Sequence, residues 1–111
     1  MDKRKFVREF TTSPIKFIDA EGAVVFKGTV NDISAAGILA VSYDLEDFEG
    51  LNVNDEIGFI MSIPTGDVAG VAEVVWMDGE KSRMGLKFIK IVDKASVANL
   101  MSFVAAGFFH A

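Results

Sequence analysis

The chain is 111 residues long, half of them apolar, with ten Phe, no Cys and a net charge of −5. That length fits one compact domain, since domains cluster at about 100–150 residues, and the missing cysteine excludes disulfides, thiolate metal sites and a cysteine nucleophile together. The acidic balance argues against a general nucleic-acid binder, whose usual footprint is a basic face.

The charge is uneven along the chain. Lys3, Arg4, Lys5 and Arg8 face only Asp2 in the first eight positions, and the remainder holds seven basic and fifteen acidic residues. A short basic arm on an acidic body marks a local anion site rather than a polyanion track. On charge alone, a solvated basic terminus reads equally well.

After the arm (residues 1–11), the region 12–92 falls into short apolar runs separated by turn residues, the pattern of a β-sandwich or barrel. Residues 15–18 form a brief candidate strand ending at Asp19-Ala20-Glu21-Gly22. Val24, Phe26, Gly28 and Val30 alternate with Val25, Lys27, Thr29 and Asn31, which predicts a half-buried strand. Residues 37–41 are a third strand, and the acidic, turn-rich residues 43–54 a surface loop. Ile57, Phe59, Met61 and Ile63 alternate strictly. Pro64-Thr65-Gly66-Asp67 supplies turn chemistry before a fifth strand at 68–76. Asp78-Gly79-Glu80-Lys81 closes a hairpin into residues 82–89, with Met84, Leu86 and Phe88 on one side.

The period then changes. Val97, Leu100, Met101, Val104 and Phe108 follow helical spacing over 93–109, with Asp93 as N-cap, Gly107 as stop, and Phe103 and Phe109 off the main stripe. Six short strands and a terminal helix predict a mainly β fold, a small barrel plus helix. Without strand–helix alternation, Rossmann and P-loop folds are excluded. The near-apolar stretch 95–109 is interrupted by Ser96, Asn99, Ser102 and Gly107 and is short of the ~18 residues a membrane span requires. With no cysteine and no signal-peptide pattern, the expected location is the cytoplasm. His110 gives no triad and no metal site.

Two constellations carry chemistry. Arg4-Lys5-Phe6-Val7-Arg8 is an RxxxR, and Asp32-Ile33-Ser34-Ala35-Ala36-Gly37 is a DxSxxG set between two strands. In that order, followed by Val74-Val75-Trp76, Met84-Gly85-Leu86-Lys87-Phe88 and a terminal helix, the chain resembles the PilZ family over nearly its whole length. The resemblance implies a six-stranded antiparallel split β-barrel with a C-terminal helix that binds cyclic di-GMP, with no cofactor and no catalysis. It also implies site residues Arg4, Arg8, Asp32, Ser34 and Gly37.

The residue chemistry suits that ligand. An Arg fork meets guanine O6 and N7 bidentately and can stack on the purine. Asp32 can accept from guanine N1–H and N2–H, while Arg4, Arg8 and Ser34 can supply donors to the phosphodiesters. Asp32 and Ser34 also suit a purely structural turn, and Gly37 suits a bulge or positive φ as well as a ligand's approach. Lys3 stands where a cation could reach a phosphate. Trp76, the sole tryptophan, either faces a bound purine or joins the core, as a large aromatic on a barrel strand ordinarily does.

Screened surface pairs of about 0–1 kcal/mol each are too weak to fix the arm on the body, so the expectation is that it closes over a bound anion. With no output domain in the sequence, the expected mode is action in trans on an effector protein, with homodimerisation through the apolar helix open. Competing readings are a PilZ-fold interaction module working without nucleotide, a flavin-binding split barrel, and a single-stranded nucleic-acid barrel. The acidic body opposes the last of these.

Overall fold

The computed structural model describes residues 9–19, 21–42, 51–78 and 83–110. Lys3, Arg4 and Arg8, the cations of the arm, lie outside the described residues. Six strands, β1 (Glu9–Ile18), β2 (Val24–Ile33), β3 (Gly37–Ser42), β4 (Glu56–Ile63), β5 (Gly66–Asp78) and β6 (Arg83–Ile91), precede one helix, α1 (Lys94–His110). The strands close into a barrel in the order β1-β2-β3-β6-β5-β4, every neighbouring pair antiparallel. Closure gives every strand a neighbour on both sides over part of its length, which limits free sheet edge.

Alternation along the strands fills the lumen. Ile57, Phe59, Met61 and Ile63 of β4 are all buried, as their period of two requires. They meet Ile15 and Phe17 from β1, Val68, Ala72 and Val74 from β5, and Met84 and Leu86 from β6 in one core. Phe88 is only partly buried, its ring centroid 5.6 Å from that of Phe59.

β1 is longer than the four residues expected at 15–18, because Glu9, Phe10, Ser13 and Pro14 also pair with β2. A register shift between Phe10 and Ser13 absorbs the irregularity. β4 joins β1 only from Ile15 onward, so Pro14 lies where one ladder is absent and a missing N–H is tolerated.

The helix starts where expected. Asp93 Oδ1 accepts from Ser96 N at 2.7 Å, an N-cap bond, and Asp93 O accepts from Val97 N at 3.1 Å. Its buried face keeps Leu100 and Val104 of the expected stripe but not Val97 and Met101. Leu100 is 1% exposed and Phe103 and Val104 pack on the core, whereas Val97 and Met101 are 42% and 43% exposed.

Polar anchors set that rotation. Ser96 Oγ accepts from Ala69 N at 3.1 Å, and Asn99 Nδ2 donates to Asp67 O at 2.8 Å. Both clamp the helix to β5 with Leu100 pointed into the barrel end. Gly107 does not stop α1, which runs on to His110. A helical glycine costs only about 1 kcal/mol relative to alanine. Among the described residues no helix is long and apolar enough to cross a membrane.

Candidate functional site on the outer wall

Two β-bulges decide what faces outward. On β2, Val30 pairs with Ala40 and Asp32 with Leu39, so Asn31 is the extra residue. Val30 and Ile33 both stay in the core, and Asp32 is turned to the outer face between them. On β5, Val74 pairs with Leu86 and Trp76 with Gly85, so Val75 is extra. Met77 then packs inward and Trp76 turns outward, 41% exposed. Trp76 is therefore not a core aromatic.

These shifts bring four residues into one registered row. Asp32 on β2 pairs with Leu39 on β3, Leu39 with Gly85 on β6, and Gly85 with Trp76 on β5. The row continues to Phe10 on β1, the partner of Asp32 on its other side. Neighbouring strands lie about 4.8 Å apart, so Asp32 and Trp76 stand roughly 14 Å from each other across the wall.

The indole lies directly on Gly85. A Cβ there would collide with Trp76 Nε1 and crowd its Cδ1 and Cε2. Gly85 is buried beneath the ring for that reason. Arg83 and Lys87, two residues either side of Gly85 on the same face of β6, flank the row with positive charge. Arg83 Nη2 is 3.3 Å from Asp78 Oδ2, and Lys87 Nζ is 3.7 Å from Glu73 Oε2. Both pairs are solvent-accessible and worth only about 0–1 kcal/mol each.

At one end of the row the β2–β3 turn is built by Ser34. Its N–H donates to Gly37 O at 2.9 Å, and its Oγ accepts from Ala36 N at 3.2 Å and Gly37 N at 3.3 Å. Ala36 O accepts from Phe88 N at 2.9 Å, stitching the turn to β6. Ser34 is 7% exposed and Asp32 8%, so both are largely buried in the wall.

Gly37 is explained neither by positive φ nor by a bulge at that position. A Cβ on it would strike Leu86 O, so the close approach of β6 requires the glycine. Asp32 and Trp76 thus share one surface, with the Ser34 turn beside Asp32, while Gly37 serves strand packing. Arg83, Leu39 and Gly85 belong to the same surface and are missing from the sequence-derived set. Nothing in the one-dimensional pattern marks where a bulge moves a strand's faces.

The fold and this surface define a small closed antiparallel barrel, capped by a C-terminal helix, whose candidate site lies on the wall rather than in the lumen. The PilZ domain profile matches residues 2–106, and the chain belongs to the PilZ domain family. No curated protein matches it in sequence.

Similar solved structures include the Bacillus subtilis inhibitor of motility MotI/DgrA, with a TM-score of 0.72 and 19% identity, covering 99% of this chain and 53% of that one. The PilZ domain of YcgR from Escherichia coli with c-di-GMP has a TM-score of 0.71 and 13% identity, covering 95% of this chain and 91% of that one. YcgR from the same organism, in complex with c-di-GMP, gives 0.71 and 12%, covering 99% and 48%. The chain thus spans about half the length of MotI/DgrA and of that YcgR chain. At these identities the likeness establishes the fold.

Proposed function

We propose that the chain is a cyclic di-GMP receptor domain that binds its ligand flat on the outer wall of the barrel, and that it is a binding domain rather than an enzyme. The observation that carries this reading is the registered row Asp32–Leu39–Gly85–Trp76. It sets a mostly buried carboxylate at one end and an exposed indole, packed on Gly85, at the other, with Leu39 between them. A guanine's N1–H and N2–H donors suit Asp32, and a purine face suits the indole.

The first paired residues of β1 favour an arm that reaches this wall. Glu9, the residue after Arg8, pairs with Ile33, and Phe10 pairs with Asp32. Arg4 and Arg8 would supply the forks for guanine O6 and N7 or for phosphate oxygens, with Lys3 adding charge. Membership in the PilZ family and the c-di-GMP of the YcgR structures support the choice of ligand. A ligand held between arm and wall creates a composite surface that an effector protein can read in trans. The motility inhibitor among the similar structures makes motility control the first output to examine.

Ser34 and Gly37 favour a second reading, an interaction module that works without nucleotide, because turn closure and strand packing account for both. Titration calorimetry separates the two. The receptor binds cyclic di-GMP at micromolar concentration or tighter and GMP or GTP far more weakly. Absence of heat well above micromolar ligand, or comparable affinity for GTP, rejects the receptor.

A further inference from the structure

We infer that Arg83 is a base-reading residue of this site, drawn out of a parked conformation to meet the Hoogsteen edge of the purine that stacks on Trp76; this rests on the cyclic di-GMP reading above. Three observations converge on it. Arg83 stands on the outer face of β6, two residues from Gly85, with its guanidinium carbon 6.0 Å from the centroid of the Trp76 ring. Its only side-chain hydrogen bond to a described residue runs from Nη2 to Asp78 Oδ2 at 3.3 Å, a long contact between partly exposed side chains. Its Nε is buried and has no hydrogen-bond partner among the described residues.

A buried cationic N–H that no protein acceptor meets is held weakly in place by its surroundings. The parked conformation otherwise has one screened ion pair and one loose contact with an aromatic ring, both weak at such exposure. The side chain is therefore poised to leave as soon as paired acceptors are offered.

A purine stacked on the exposed indole offers them. Guanine O6 and N7 are adjacent, coplanar acceptors that match two parallel N–H groups of a guanidinium, whereas adenine puts a donor at the position of O6. Arg83 then reads the base at the Trp76 end of the row, about 14 Å from Asp32 across three strand spacings. The two ends of the row would read opposite edges of the two guanines.

The test uses the full chain, cyclic di-GMP, and its 7-deazaguanine analogue, in which N7 is replaced by C–H. Calorimetric titration of R83A is expected to show about tenfold weaker binding of cyclic di-GMP. The penalty for the analogue should be smaller in R83A than in the wild type, because one partner of N7 is already gone. R83K keeps the charge and loses the planar fork, so it should resemble R83A.

R83A or R83K binding within about twofold of wild type, or equal analogue penalties in wild type and variants, would overturn the role. If R83A unfolds, R83K carries the same comparison. A wild-type chain that binds neither ligand overturns the receptor reading and Arg83's role with it. Wild-type binding with indifferent Arg83 variants overturns the inference alone.

Discussion

Trp76 lies across the backbone of Gly85, its strand partner on β6, so closely that a Cβ on Gly85 would occupy the place of the indole. The contact depends on the extra residue Val75, without which Trp76 would face Met84 inside the barrel. It places the only tryptophan of the chain on the outer wall, at the opposite end of the row from Asp32.

Gly85→Ala should therefore move the indole without opening the core. Overpacking of this kind costs about 1–3 kcal/mol, and with a single tryptophan the emission spectrum reports it directly. The expected outcome is a shifted emission maximum, greater quenching by acrylamide and weaker cyclic di-GMP binding, with an unchanged far-ultraviolet circular dichroism spectrum. An unaltered spectrum and unaltered quenching would contradict the packing.

Asp32→Ala should weaken cyclic di-GMP binding by about 10- to 100-fold, since hydrogen bonds to a charged group are worth about 1.5–3 kcal/mol. Arg4→Ala and Arg8→Ala should each lose a similar factor, and wild-type affinity should fall as salt rises because phosphate contacts are screened. Calorimetry at two ionic strengths measures both effects. Normal binding by Arg8→Ala would remove the arm from the site.

Ser34→Ala separates turn from ligand. Two amides that now donate to Ser34 Oγ lose their acceptor in a partly buried turn. A stability loss of about 1–3 kcal/mol is expected by urea denaturation, with a smaller effect on affinity than Asp32→Ala. An affinity loss equal to that of Asp32→Ala, at unchanged stability, would make Ser34 a ligand contact first.

The helix should prove integral to the barrel. Leu100 is fully buried at its end, so Leu100→Ala should cost about 2–5 kcal/mol, while Asp93→Ala, which removes only the N-cap bond, should cost about 1 kcal/mol. Met101→Ala, on the exposed side, should be near neutral. Denaturant midpoints for the three variants give the ranking, and a Met101 cost rivalling that of Leu100 would mean the helix is rotated.

Amide exchange offers a test of arm closure. Across residues 3–10 exchange should slow on adding cyclic di-GMP, while Ile57, Phe59 and Met61 in β4 barely change. Protection of residues 3–10 that is already complete without ligand, and unaltered by it, would move the switch elsewhere.

Local periodicity was enough to determine that this chain makes a small β-barrel with a terminal helix. Strict alternation in β4, the turn at Pro64-Thr65 and the N-cap at Asp93 are each decided by neighbours in sequence, so they could be read there. The DxSxxG likewise marked the β2–β3 turn at Ser34, although Asp32, expected between the strands, lies within β2 and is paired on both sides.

The site's outer row was decided only by the closed sheet. Whether Trp76 faces the core or the wall depends on a single extra residue, Val75, and a one-residue slip flips every side chain beyond it. Asn31 does the same for Asp32. The helix face, too, was settled by long-range bonds from Ser96 and Asn99 to β5, which kept Leu100 buried and turned Phe103 inward in place of Val97 and Met101. Hydrophobic spacing cannot choose between two nearly equivalent apolar faces; polar groups that must find partners across the fold can.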